Sequence, residues 1–321
     1  MRLALKQFST VARQTTLEAS RQPAFLLLSA STLLFIGLLP LLITHVLGEA
    51  TRMIRDSSLA LFWMAGLLLG CYGAASTISR ELRLGTLASV VTKPMNRSLF
   101  FLAKFFGIVV VMTAFIFAAT LASLLAIHAV RVLYRIDWWS LGSLYLGILG
   151  AFAVSGLRNF LFRSPFTSGA FRDVLISVVL AFAVVLWRSA GQMSEGAESF
   201  MPWSVLPAAA LIGLAVILFC SFAVALSTRL GLTGTMMMCA VILMVGLMSD
   251  YLLGPYAQTN EALRLLYLLI PNWQNFWAVD ALNHGDIPWP YVFQVAHYCG
   301  LYMIGILLWG IASFRMMEVH Q

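Results

Sequence analysis

Residues 79–97 read SRELRLGTLASVVTKPMNR, a charged island between two long apolar runs, 57–79 and 105–130, that carry no formal charge. Each run meets the length a helix needs to cross a hydrocarbon core of roughly 30 Å, about 20 apolar residues. The consecutive charges Arg80, Glu81 and Arg83 are costly inside hydrocarbon, so the island belongs at a membrane boundary or paired within protein. The expected fold around it is all-helical and membrane-spanning.

Composition agrees with that start. The 321-residue chain is 61% hydrophobic and only 10% charged, with mean hydropathy +0.90, which excludes a soluble globular protein. Apolar runs fill most of the length and leave no room for an independent soluble domain, so residues 23–321 are expected to form one transmembrane domain. The net charge of +7 raises nucleic acid as a partner, yet no run of basic residues alternates with aromatics, and no nucleic-acid binding is expected. Cys71, Cys220, Cys239 and Cys299 all sit in apolar runs and read as small hydrophobes.

Working outward, further segments pass the span test without a formal charge: 24–44, 138–157, 203–228, 230–249 and 287–314. Segment 174–187, bounded by Asp173 and Arg188, is short unless Arg188 snorkels outward. Counting it gives about eight spans; six is the alternative if 138–187 forms a re-entrant or irregular pair. Orientation follows from the basic residues between spans. With the N-terminus in the cytoplasm, 14 of the 20 Lys and Arg fall inside: Arg2, Lys6, Arg13, Arg21, Arg80, Arg83, Lys93, Arg97, Lys104, Arg158, Arg163, Arg172, Arg229 and Arg315. Arg52, Arg55, Arg131, Arg135, Arg188 and Arg264 fall outside. Both termini and residues 79–97 then face the cytoplasm, and removing two spans leaves that parity unchanged.

Residues 1–22 lack the compact apolar core of a cleavable signal. On a helical wheel Ala4, Leu5, Phe8, Val11 and Ala12 share one side, with Arg2, Lys6 and Arg13 on another, so an interfacial amphipathic helix is expected.

Within the island, Gly85 permits a tight turn, Thr86 can cap a following helix, and Pro94 ends it, which outlines a short helix from Thr86 to Thr92. The ordered set Glu81, Gly85, Thr86 and Leu87, then Lys93, Pro94 and Arg97, resembles the cytoplasmic coupling segment of ABC-2 type transporter permeases, E-x-x-x-G-T-L followed by a short helix and a K-P-x-x-R corner. The resemblance implies a multi-pass permease subunit of the bacterial cytoplasmic membrane, an exporter of an unidentified substrate. It implies that Glu81, Arg83, Gly85, Thr86, Leu87, Thr92, Lys93, Pro94 and Arg97 form the contact with a separate ABC ATPase, which holds ATP and Mg, and that a second permease subunit completes a homodimer or heterodimer among membrane lipids. The family's six spans would correspond to 24–44, 57–79, 98–130, 203–228, 230–252 and 287–314, making the pair within 138–190 an insertion. Residues 254–286 would be the extracytoplasmic segment, and PNWQNFWAVDAL, 271–282, would dip into the outer leaflet; Trp273, Phe276 and Trp277 equally suit an aromatic belt.

The chain itself carries no G-x-x-x-x-G-K-[ST], G-x-S-x-G or H-E-x-x-H, so no cofactor, catalytic residue or enzymatic activity is expected in it. His45, His128 and His297 lack acidic neighbours at ligand spacing, and no metal site is expected. Asp250 reads as a solvated or capping residue at a span end. Gly66, Gly70 and Gly73 form a small-residue face that suits packing within the subunit or across a dimer, and Gly142, Gly147 and Gly150 are read the same way. The rivals to a permease are a secondary transporter or membrane enzyme, which would need ionisable groups at mid-membrane, and a membrane anchor or scaffold subunit without transport.

Overall fold

The structure, a computed structural model, describes residues 2–43, 49–83, 96–131, 136–192, 201–257, 260–283 and 285–315. Its helices are α1 (Arg2–Ser20), α2 (Pro23–Leu42), α3 (Ala50–Arg83), α4 (Arg97–Arg131), α5 (Trp138–Phe162), α6 (Phe166–Gln192), α7 (Leu206–Ser227), α8 (Leu232–Leu247), α9 (Glu261–Leu269) and α10 (Trp289–Arg315). Single helical turns lie at Trp203–Val205, Ser249–Leu252, Gly254–Ala257, Trp273–Phe276 and Val279–Asn283. No strand occurs among the described residues. Among the described residues seven helices are long and apolar enough to cross a membrane: α2, α3 as far as Ile78, α4 as far as Val130, α5, α6 as far as Ala190, α7 with its preceding turn, and α10 as far as Phe314. The protein is an all-α polytopic membrane protein.

Local chemistry sets several boundaries. Pro23 starts α2, where its missing N–H costs nothing. Asp137 caps α5, its side chain accepting from the Trp139 N–H at 3.1 Å. Between α5 and α6 the chain turns in three residues, with Arg163 in the left-handed region at φ 52°.

Two expectations about spans need correction. The segment bounded by Asp173 and Arg188 is no short piece: α6 runs 27 residues through both charges. Neither breaks the helix because each finds a partner. Asp173 pairs with Arg158 of α5 and with Arg172, and the Arg188 guanidinium lies 4.8 Å from the Trp139 ring centroid. Residues 138–190 therefore form two span-length helices rather than an irregular pair. Conversely, the expected span 230–249 shrinks to α8, whose 16 residues rise only about 24 Å. Side chains take up its last carbonyls: Gln274 Nε2 donates to Leu247 O and the Ser249 hydroxyl to Gly246 O, each at 2.9 Å, while Trp273 Nε1 reaches Ile242 O, a turn earlier, at 3.3 Å. Among the described residues there are thus seven span-length helices and one shorter apolar helix, where eight spans are expected from the sequence.

At the centre, α7 packs against α3, α4, α8 and α10. Lipid tails are as apolar as leucine, so close approach and dispersion contacts hold such helices together. Gly66 and Gly70 of α3 supply that approach: a Cβ on either would lie 2.6 Å from Val216 Cγ2 or Cys220 Sγ of α7. Gly73 faces Phe25 of α2 at 3.5 Å. This small-residue face is thus intrasubunit. Gly147 meets Ser177 of α6, whereas Gly142 and Gly150 face open space.

Trp273 and Phe276 are fully buried, so they are not an interfacial belt. Trp273 wedges between α7 and α8, with Phe219 at 5.7 Å between ring centroids, and touches Gly246, where a Cβ would clash with the indole. Trp277 is half-buried and packs edge-on against Trp63 of α3 at 5.5 Å.

Candidate functional site

The two helices that carry the charged island are well placed. α3 continues past its apolar part to Arg83, so Glu81 and Arg83 lie on its last turn, and α4 restarts at Arg97. Asn96 begins the new helix, its side-chain oxygen accepting from the Ser98 N–H at 3.1 Å. Gly85, Thr86, Leu87, Thr92, Lys93 and Pro94 lie outside the described residues, as does His45. The expected helix from Thr86 to Thr92 falls there too.

What surrounds the start of α4 is described and is built from polar contacts the sequence did not announce. α1 crosses α4 at Gly107, where a Cβ would lie 2.6 Å from both Ala12 O and Thr15 Cβ. The Thr16 hydroxyl donates to Gly107 O at 3.0 Å, and Phe8 meets Phe106 edge-on at 5.5 Å. One turn earlier on α4, Lys104 is buried; its ammonium lies 3.5 Å from a Glu18 oxygen and 5.7 Å from the Phe100 centroid. A buried ammonium needs such partners, since leaving it bare in an apolar environment costs several kcal/mol, on the order of 3–5 for a broken pair. The expected amphipathic division of α1 holds in part: Phe8, Val11, Ala12 and Thr15 turn inward, Lys6 and Arg13 are exposed, but Leu5 is exposed as well.

The far end of the chain braces the same place. Phe314 of α10 stacks on Phe100 and leans on Phe101, both at 6.1 Å. Gly310 admits Phe101 closely, with a Cβ 2.5 Å from its ring. Beside it Arg229, between α7 and α8, donates to Ser313 Oγ and Ser313 O, each at 2.9 Å, which satisfies a carbonyl near the end of α10. One end of the bundle thus gathers α1, the start of α4, the α7–α8 corner and the end of α10. Gln22, at the α1–α2 joint, accepts from Ser76 on the last stretch of α3 at 2.7 Å, so α3 ends there as well.

The opposite end is tied by a different set. Arg55 donates to Leu282 O at 3.3 Å and to the Asn283 side chain, and pairs with Asp56. Asp250 accepts from Tyr267 Oη at 2.6 Å and from Asn272 Nδ2 at 2.8 Å, while Tyr298 Oη accepts from the Asn272 N–H at 2.9 Å. Asp250 is therefore a clasp between the end of α8 and the segment after it. Its carboxylate holds the Tyr267 phenol above the ordinary value, with burial and charge repulsion adding to the effect.

His128 is buried, its Nδ1 3.1 Å from Ser140 Oγ, which donates to Asp137 at 2.6 Å. His297 Nδ1 lies 2.7 Å from Phe293 O. Among the described residues no group of His, Cys, Asp or Glu could hold a metal ion. Cys71 and Cys239 come together as walls of an apolar cavity of about 150 Å³ with Met64, Leu67 and Phe219, a meeting that nothing in their spacing signals.

No protein-family model and no curated protein matches the chain.

Proposed function

We propose that this protein is the membrane-spanning permease subunit of an ABC-2 type transporter, an exporter driven by ATP that a separate ABC ATPase hydrolyses. The observation that carries the reading is the sequence of the island, Glu81, Gly85, Thr86 and Leu87 followed by Lys93, Pro94 and Arg97, between two span-length helices.

The bundle end from which the island emerges supports it. A segment that receives force must be anchored so that its displacement moves whole helices rather than bending a loop. α3 runs unbroken from Ala50 to Arg83, and α4 is clamped near its start by α1 and α10. Motion delivered at Glu81 and Thr86–Thr92 would therefore pass to α3 and α4 as rigid bodies, and through Gly66 and Gly70 to α7. An ATPase biases only states it contacts differently, so its docking contact must change with bound nucleotide. ATP and Mg belong to that partner. A second permease subunit, identical or sister, would complete the route between the two copies, in a bacterial cytoplasmic membrane with both termini inside.

The test is purification of the tagged chain from its native membranes and assay of the product. The reading predicts a stoichiometric ABC ATPase, ATP hydrolysis, and loss of transport-linked hydrolysis in Glu81→Ala with the complex intact. A chain that purifies without a nucleotide-hydrolysing subunit overturns it. Full hydrolysis with no substrate-linked change in Glu81→Ala favours an anchor or scaffold.

A further inference from the structure

A cavity of about 500 Å³ opens where α1, α4 and the α5–α6 corner meet, and it is two-faced. Its walls are apolar: Leu17 from α1, Val111 and Ala114 from α4, Phe171 and Leu175 from α6. Its mouth holds Arg158 and Arg172, together with Ser164 of the corner itself. The volume falls within the range of roughly 300–1,000 Å³ typical of small-molecule sites.

The depth of the mouth follows from its surroundings. Phe160, Leu161 and Phe162 end α5 fully turned outward, as lipid-facing side chains do, and the next residue is the exposed Arg163. The passage from apolar to cationic within one residue sets the corner at the boundary between acyl chains and headgroups. α1, amphipathic and with Lys6 and Arg13 exposed, roofs the cavity on the same side.

The charge of the mouth selects the occupant. Arg158 and Arg172 share one carboxylate, Asp173, and Arg163 stands exposed in the same corner with no acid of its own in the turn. The acid on the facing helix, Glu18, is engaged by Lys104. The corner therefore keeps a positive excess, and Arg172 remains well exposed, with a planar fork of donors suited to a phosphate. Basic pockets between membrane helices, at headgroup level, are suited to anionic lipids.

We propose that this cleft binds one anionic phospholipid, its phosphate against Arg172 and Arg158 and an acyl chain between α4 and α6, so that the lipid fills the joint linking α1 to the hairpin. The proposal stands whether or not an ATPase drives the protein, because it uses only which residues share a membrane face.

Native mass spectrometry of the full chain, delipidated and titrated with phosphatidylglycerol or phosphatidylethanolamine, tests it. One phosphatidylglycerol should bind per chain in preference to phosphatidylethanolamine. Arg172→Gln, at an exposed position, should weaken phosphatidylglycerol roughly fivefold, the factor expected for one interfacial cation. Ala114→Phe fills the chain slot without changing charge and should abolish that binding; thermal unfolding reports whether either variant is folded, and Arg172→Gln suffices if Ala114→Phe is not. Equal binding of the two lipids, wild-type binding by the folded variants, or displacement of the lipid by glycerol phosphate alone would each overturn the proposal.

Discussion

α7 and the α5–α6 hairpin are all membrane-length apolar helices, yet 78% of the α7 span is buried by protein against 33% and 39% for the hairpin helices. Hydrophobicity alone does not distinguish them, because lipid and protein interior are equally good solvents for a leucine. What separates them is the neighbour. α7 is met by glycines on α3 and by Trp273, while the hairpin turns Leu146, Val154, Phe160 and Trp187 outward. The hairpin also carries the charges, Arg158, Arg172 and Asp173, that a central helix has no means to solvate.

The largest break in this contrast should come from Trp273→Ala, which empties a fully buried site between α7 and α8. A loss of about 3–5 kcal/mol is expected, read as a fall in thermal stability in detergent. Next, Gly70→Leu must push Cys220 away from α3 and should cost about 1–3 kcal/mol. Smaller again is Tyr267→Phe, which removes one hydrogen bond to Asp250, about 0.5–1.5 kcal/mol. Tyr267 also has a sign in pH. Its folded pKa is raised, so its contribution is fully present below the ordinary phenol value of about 10 and is lost as pH rises through the raised one. A pH series of unfolding midpoints should show a shallower alkaline decline in Tyr267→Phe than in the wild type, with parallel curves between pH 6 and 8. The smallest effect belongs to Gly150→Ala in the hairpin, where the new methyl meets nothing; helix propensity predicts no loss and a gain of up to about 1 kcal/mol.

The reading of residues as apolar runs and islands was enough for the helical membrane class, because roughly 20 uncharged residues leave few alternatives. Local sequence misleads where a charge looks like a helix boundary. Asp173 and Arg188 sit inside α6 because Arg158 and Trp139 receive them, and such partners lie on another helix, invisible in local sequence. Residues 230–249 mislead in the same way: uncharged sequence continues, but the Gln274 and Ser249 side chains take the last carbonyls of α8, at Leu247 and Gly246. Trp273 and Phe276 carried an aromatic signal that position alone leaves open between belt and core. Around the island, Lys104 and Glu18 are opposite charges at the edges of apolar stretches, but the crossing that joins them depends on Gly107, whose role only the approach of Ala12 reveals.

The central claim is that the segment between α3 and α4 touches a separate nucleotide-driven subunit. A photo-crosslinking side chain at Ser89 in living cells measures that contact, with the same probe at Glu261, on the opposite end of the bundle, as the control. The account predicts an ABC ATPase crosslinked from position 89 alone, with a yield that changes when ATP is depleted. An ATPase captured from neither position, or from 261 instead of 89, would contradict it.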